Sequence, residues 1–277
     1  MLDNMRVVVV TPAGRKRYLE VLFKYVEKLR PIIDEYRLWV NTTNQDDISF
    51  MQEYQRTHSD FVTIEYLPTN ANVDGIKSIR HFFLNCVDEN TIYVRFDDDI
   101  TFIDTIEKFK AFLQFRKNNP QYFLVYANII NNAICGHIQQ RAGAIDLSMG
   151  KVTYDCLDRL GWETGSFTKH LHETVLSSLS VPNGIDKFRV ANWLFWDHER
   201  VSINSISWLG SYFKKFDGII EGYEEEFLSI HKPKQDNIFN IMYGDFLCVH
   251  YAFHTQRGAV DSDPTILERY SVLSECQ

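Results

Sequence analysis

Strand-like and helix-like patterns alternate along the first hundred residues. A continuous valine-rich run, Met5–Thr11, is typical of a strand buried on both faces of a parallel sheet. From Arg15 to Leu29 apolar residues recur at helical spacing, and Pro31 ends that pattern. The same features predict later strands at Tyr36–Asn41, Val62–Leu67 and Thr91–Phe96, with helices near Ile48–His58 and Ile76–Cys86.

This alternation predicts an α/β fold, a Rossmann-like α/β/α sandwich around a mostly parallel central sheet. Ligands of such sheets bind at the carboxyl ends of the strands. Polar segments follow the four predicted strands, so we expect them to meet at one rim of the sheet. These segments are Thr11–Pro12, Asn41–Asp47, Pro68–Gly75 and Asp97–Asp99.

The pattern changes in the second half of the chain. A helix at Ile103–Asn118 and a strand at Tyr122–Asn128 are predicted first. Residues 130–190 have no clear period, and we expect irregular lids and acceptor contacts there. Residues 197–228 again suggest order, and Phe246–His254 is predicted to be a late strand. We expect one domain, residues 1–277, with halves of about 1–128 and 129–277.

Composition narrows the classes of partner. The 277 residues carry 29 basic and 37 acidic side chains, a net charge of -8, which argues against a non-specific nucleic-acid binder. An anionic ligand would then need a metal ion or a few placed Arg and Lys residues. No apolar run approaches a membrane span. The opening residues resemble a buried strand rather than a signal peptide, and the five cysteines are widely spaced, so a cytoplasmic protein with reduced thiols is expected.

The strongest chemical signal is the acidic triplet Asp97-Asp98-Asp99. Three neighbouring carboxylates repel one another, and a divalent cation would supply the counter-charge. In an extended segment the side chains of Asp97 and Asp99 point the same way and that of Asp98 points the opposite way. Asp97 and Asp99 could therefore face one Mg²⁺ or Mn²⁺. The alternative is a solvated acidic turn that caps the next helix.

The segment Tyr93–Ile100 (YVRFDDDI) resembles the DxD region of GT-A fold glycosyltransferases. The valine-rich first strand, the second loop with its Asn, and the stretch at 70–75 (NANVDG) fit the same order. The resemblance covers about the first 100 residues and patches later. It implies a GT-A fold in which Asp99 ligates a metal on the donor diphosphate, while Asp97 contacts the ribose or the metal shell. The implied donor-binding residues are Thr11, Pro12, Arg15, Asn41, Asp46, Lys77, Arg80, Asp97 and Asp98.

Lys77 and Arg80 would share one helical face and help to neutralise the diphosphate, although they could equally be a solvated face. A second likeness is the stretch 222–229 (GYEEEFLS), which resembles the acidic segment where inverting GT-A enzymes keep a catalytic base. Such a base deprotonates the acceptor hydroxyl. Glu225 is the first candidate, followed by Glu226 and then Glu224. The alternative is a charged first helical turn.

Late histidines complete the candidate site. GT-A enzymes often take a late His as a further metal ligand, so the resemblance implies metal binding by Asp99, Asp97 and His250. On a strand, His254 would share the face of His250 and contact phosphate, as could Arg257. The stretch His170–Glu173 is interpreted as a surface or acceptor loop, and Trp162 as an acceptor contact.

The function that these features imply is an inverting glycosyltransferase that depends on Mn²⁺ or Mg²⁺. The donor would be a nucleotide sugar, most simply a UDP sugar held by the 1–128 half, and the acceptor a glycan or glycoconjugate held by the 129–277 half. A sugar-1-phosphate nucleotidyltransferase is one alternative, although a single Gly follows the first strand. The other is a non-catalytic, cation-dependent carbohydrate-binding protein, which would need no base.

Overall fold

The computed structural model of the chain describes residue 2 and residues 4–276, and the side chain of Cys276 lies outside this description. The strands are β1 (Arg6–Ala13), β2 (Glu35–Val40), β3 (Val62–Glu65), β4 (Thr91–Phe96), β5 (Ile100–Ile103), β6 (Tyr122–Ile130), β7 (Trp193–Phe195), β8 (Ser205–Leu209) and β9 (Phe239–His250). The longer helices are α1 (Lys16–Leu29), α2 (Gln45–Thr57), α4 (Ile106–Asn118), α5 (Ala133–Arg141), α6 (Gly165–Leu179), α10 (His254–Asp261) and α11 (Thr265–Cys276). The short ones are α3 (Ile76–Ile79), α7 (Gly210–Phe213), α8 (Glu224–Glu226) and α9 (Lys232–Asp236).

All nine strands of the described residues belong to one sheet, in the order β3-β2-β1-β4-β8-β6-β9-β5, with β7 paired to β9. The first four strands are mutually parallel, as are β6 and β9, whereas β5, β7 and β8 run against their neighbours. Six of these strands therefore share one direction. The predicted Rossmann-like α/β/α sandwich with a mostly parallel central sheet is confirmed.

Alternate residues of β2 show how the two faces of the sheet are covered. The ring of Tyr36 packs edge-on against Phe23 of α1. Trp39 points to the other face, where it stacks on Phe82 in the segment after α3. Helical segments thus cover both faces, and one hydrophobic cluster includes buried residues from Val7 of β1 as well as from Val249 of β9.

Three details of the predicted elements are wrong. Residues 130–190 contain the helices α5 and α6. The late strand begins at Phe239 and ends at His250, and His254 starts a helix instead of continuing the strand. A short strand, β5, precedes the helix predicted at 103–118. Gly244 weakens the strand pattern in the sequence of the early part of β9, because glycine is unusual inside a strand. The folded protein requires glycine at this position, since a Cβ would lie 2.0 Å from the carbonyl oxygen of Val190.

The four cysteines whose side chains are described are free and buried, as expected of reduced thiols; they are Cys86, Cys135, Cys156 and Cys248. Within residues 2 and 4–276, none of the helices has the length and apolar character needed to cross a membrane.

Candidate active site

A cavity of about 430 Å³ opens at the carboxyl ends of β1, β2, β4 and β9. Its wall includes Asp97–Asp99, which follow β4, and Glu224 and Glu225 of α8. The predicted polar segments do converge at this rim: those after β1, β2 and β4 line the cavity, and the Pro68–Gly75 segment after β3 reaches it through Gly75. Other wall residues from the predicted set are Pro12, Arg15, Asn41 and His250.

Arg15 and Asp98 meet at the point where the strand order reverses. The chain passes from β1 to β2 on one side and returns to β4 on the other, which is where Rossmann-like sheets bind ligands. Arg15, just after β1, donates from Nε to Asp98 at 3.1 Å, and one of its terminal nitrogens forms an ion pair with Asp99 at 3.0 Å. The backbone N–H of Gly14 also donates to Asp98 at 3.1 Å.

Asp99 is surrounded by positive charge. Its side chain is 3% exposed, and Arg257 at the start of α10 donates to its Oδ2 at 3.1 Å. Burial by itself would raise the pKa of Asp99, but Arg15, His250 and Arg257 hold that pKa well below its usual value. For Asp98, burial prevails over Arg15 and raises the pKa. The counter-charge of the triplet thus comes largely from arginines.

Asp97 faces a different partner. The triplet forms a turn rather than the predicted extended segment, although Asp97 and Asp99 both line the cavity. Arg95, on β4, donates to Asp97 Oδ1 at 2.8 Å, and Asn204 donates to Asp97 Oδ2 at 3.1 Å. The same Arg95 donates to Glu224 Oε1 at 3.0 Å, so one guanidinium links the two acidic triplets.

Glu224 is the acid of the second triplet with the most unusual environment. It is 4% exposed, and its Oε2 has no hydrogen-bond partner within the described residues. Burial raises the pKa of Glu224 to about 7 even though Arg95 opposes the shift. A carboxylate on a cavity wall with a pKa near neutrality and one oxygen without a hydrogen-bond partner suits proton transfer.

Glu225 and Glu226 share Arg200. Nε of Arg200 donates to Glu225 at 2.7 Å, and its NH1 donates to Glu226 at 2.8 Å. Glu225 lines the cavity, whereas Glu226 is 39% exposed and lies outside the wall. The three glutamates therefore differ in kind, although the sequence presents them as equivalents.

His250 and Asp99 suit a divalent cation. The Nδ1–H of His250 donates to the carbonyl oxygen of Asn131 at 3.1 Å, which leaves Nε2 directed at Asp99 Oδ1, 3.5 Å away. Metal-binding histidines are commonly oriented by such a bond. No three His, Cys, Asp or Glu side chains among the described residues come close enough to hold a metal. Nucleotide-bound cations, however, usually take one or two protein ligands and complete their shell with phosphate and water.

Several predicted donor contacts lie off the cavity wall. Thr11 is fully buried and accepts a hydrogen bond from Tyr36. Asp46 is exposed in the first turn of α2. Lys77 is exposed near Asp74, and Arg80 donates to the carbonyl of Gly222 at 3.2 Å; both line a neighbouring cavity instead.

Of the other predicted aromatic and histidine residues, some lie on the cavity wall and others lie elsewhere. Trp162 lines the cavity. The ring centroid of His254, at the start of α10, lies 5.2 Å from the ring centroid of Trp162. The surface-loop interpretation of His170–Glu173 is wrong because this stretch belongs to α6. His172 is buried there and lies 2.7 Å from the carbonyl oxygen of Tyr251, since the helix packs against the end of the sheet.

Three important residues were missed in the sequence: Arg95, Arg200 and Asn204. Arg95 carried a usable signal, since a charge inside an otherwise apolar strand needs a partner. Arg200 and Asn204 lie in polar stretches with no period, and nothing local distinguishes them from solvated residues.

No family model and no curated protein matches this sequence. Solved structures resemble it distantly. A 4-diphosphocytidyl-2C-methyl-D-erythritol synthase from Anaerococcus prevotii is 11% identical, with 96% of this chain and 100% of that one covered and a TM-score of 0.46. The galactosyltransferase LgtC, in complex with donor and acceptor sugar analogs, is 10% identical over 97% and 95% of the chains, with a TM-score of 0.42. A mannose-1-phosphate geranyltransferase from Thermus thermophilus is 12% identical over 46% and 42%, with a TM-score of 0.32.

Proposed function

We propose that this chain is a glycosyltransferase that moves a sugar from a nucleotide sugar, most simply a UDP sugar, to a hydroxyl of a saccharide acceptor. The observation that carries the proposal is that the aspartate triplet, Glu224 and Glu225 line one cavity. Asp99, with Arg15 and Arg257, offers a side that can bind both a cation and an anion, and Glu224 offers a buried carboxylate oxygen without a hydrogen-bond partner among the described residues. Donor and acceptor chemistry both need to be present within one such space.

In this proposal Glu224 takes the role of general base. Its Oε2 accepts the proton of the acceptor hydroxyl while that oxygen forms a bond to the anomeric carbon. The bond from this carbon to the diphosphate breaks, and the nucleoside diphosphate leaves with the electron pair, which inverts the anomeric centre. Glu224 replaces Glu225 as first candidate because Glu224 is the buried acid of the two, 4% exposed, and burial raises its pKa to about 7.

The donor side is assigned by charge. The diphosphate would lie against Arg15 and Arg257, with Asn41 and Pro12 beside the nucleoside. Asp99 and His250 would hold Mn²⁺ or Mg²⁺, whose chemistry is the neutralisation of charge on the leaving diphosphate. His250 keeps its Nε2 available for this purpose through its bond to Asn131.

Calorimetry with UDP, with and without Mn²⁺, followed by UDP release from a panel of UDP sugars, tests the function. We expect UDP to bind, Mn²⁺ to strengthen the binding, and at least one donor to be hydrolysed slowly without acceptor. Pyrophosphate release from a nucleoside triphosphate and a sugar 1-phosphate would identify a nucleotidyltransferase instead. Cation-dependent sugar binding without any nucleotide binding would identify a carbohydrate-binding protein.

A further inference from the structure

Arg95 occupies an unusual place for a charged side chain. It lies on β4 in the middle of the sheet, where its neighbours in register are Val10 on β1 and Ile206 on β8. Its side chain is 4% exposed. A buried guanidinium is costly unless its donors are satisfied, so its partners decide what it does.

Those partners form a chain of contacts that runs from one triplet to the other. Asn204 makes two hydrogen bonds to Asp97. Its side-chain amide donates to Asp97 Oδ2 at 3.1 Å, and its backbone carbonyl accepts the backbone N–H of Asp97 at 2.9 Å. Asp97 in turn binds Arg95 through Nε and a terminal nitrogen, both at 2.8 Å. The remaining terminal nitrogen of Arg95 reaches Glu224 Oε1 at 3.0 Å.

We propose that Arg95 is a positioning residue that fixes the carboxylate of Glu224 so that its Oε2 faces the acceptor hydroxyl. The inference rests on the proposed function and adds to it a residue of the cavity wall that acts through Glu224. Because Arg95 holds Oε1, rotation of the carboxylate is restricted, and the oxygen left for the acceptor hydroxyl is Oε2, which is buried beside the cavity wall and has no partner among the described residues. The charge of Arg95 also keeps Glu224 ionised more readily than its burial alone would allow.

The charged neighbours of Glu224 have opposing effects on its pKa. Arg95 favours ionisation of this carboxyl group, whereas Asp97 and Glu225 disfavour it. A base must be deprotonated to act, so kcat/KM rises with pH through the pKa of Glu224 in the free enzyme. Loss of Arg95 therefore moves the acidic limb of the pH profile to higher pH.

The experiment measures the pH profile of transfer for wild type, Arg95→Lys and Arg95→Met, together with donor KM. We expect the acidic limb of Arg95→Met to move upward by about one pH unit or more, the usual influence of a close opposite charge. Arg95→Lys keeps the positive charge but loses the guanidinium that binds Asp97 and Glu224 together. The acidic limb of its pH profile should therefore move less than that of Arg95→Met, while its kcat falls. The donor KM should change little, because Arg95 does not lie on the donor side.

Arg37→Met is the matched control. Arg37 is also a buried strand arginine, with its Nε 3.0 Å from Glu35, but it lies away from the cavity wall. Its loss should lower stability and leave the acidic limb in place. A rate loss in both Arg95 variants with an unmoved limb would overturn the positioning role and assign Arg95 to structure alone. If Arg95→Met does not fold, Arg95→Gln, which removes the charge but keeps hydrogen-bonding groups, decides between these outcomes. A wild type without nucleotide-sugar activity would instead defeat the proposed function, and this inference with it.

Discussion

The two acidic triplets look alike in sequence and differ in the folded protein. Asp97–Asp99 follow a strand, and each carboxylate is paired with at least one arginine: Arg95, Arg15 or Arg257. In Glu224–Glu226, Arg95 and Arg200 are shared among three acids, and one oxygen of Glu224 stays unpaired. The first triplet is thus paired with three arginines and the second with two, and the second includes a buried carboxylate oxygen without a partner among the described residues.

This difference shows that a run of acids does not define its own chemistry. Repulsion within a triplet is the same in both cases, but the number and position of arginines differ. A compensated carboxylate is suited to holding and orienting groups, whereas a buried carboxylate with an open oxygen is suited to accepting a proton. Substitutions that separate holding from proton transfer can therefore test the comparison.

The largest effect is expected from Glu224→Gln. The amide keeps the shape of the acid but cannot accept a proton, so kcat should fall by about a hundredfold to ten-thousandfold, the usual contribution of a general base. UDP affinity measured by calorimetry should stay near the wild-type value. Glu225→Gln is the control, with a smaller loss in kcat. A larger loss in Glu225→Gln would return the base to Glu225 and contradict the comparison.

Asp99→Asn should lower the stability of the fold. Repulsion among the three carboxylates would by itself make the folded protein more stable when one charge is removed. Asp99, however, is paired with Arg15 and Arg257. Loss of one partner of a buried pair costs about 3 kcal/mol or more in the free energy of unfolding. Denaturant unfolding without metal measures this. An unchanged or higher stability would mean that repulsion dominates and that the triplet depends on an added cation.

The pH dependence of stability should have opposite signs at the two sites. The pKa of Glu224 is raised from an ordinary 4.5 to about 7, so the folded state binds its proton more tightly, and stability falls as pH rises between those values. The pKa of Asp99 is lowered, so its contribution is present above its unfolded value and is lost as pH falls below it. Denaturant unfolding across this range should show a flatter neutral limb in Glu224→Gln and a weaker acid-side loss in Asp99→Asn. Identical pH curves for both variants and wild type would refute these environments.

Glu226→Gln should have the smallest effect. Glu226 is half-exposed and pairs with Arg200, which also binds Glu225. Exposed ion pairs contribute up to about 1 kcal/mol, so thermal unfolding and kcat should both stay close to wild type. A strong loss of acceptor binding in this variant would place Glu226 in contact with the acceptor.

The helices that sequence patterns missed share a physical cause. In α5, residues all around the helix are buried, including Cys135, Gly136 and Gln139, so no apolar stripe marks one face. In α6, Ser, Thr and His residues lower helix propensity, and packing against α10 stabilises the helix. By contrast, β1, β2 and β4 were predictable as short, continuously buried runs, and α1 was predictable because its apolar residues recur at helical spacing.

The sequence by itself determined the α/β class, the rim where polar segments meet, and the two acidic triplets as its chemistry. These follow from short-range periods and from the rule that strand ends gather ligands. Tertiary structure alone decided which acid is open, because the partners come from distant parts of the chain: Arg95 and Glu224 are separated by 129 positions, and Arg15 and Asp98 by 83. Burial and charge pairing depend on all the neighbours in space, and no local pattern contains them.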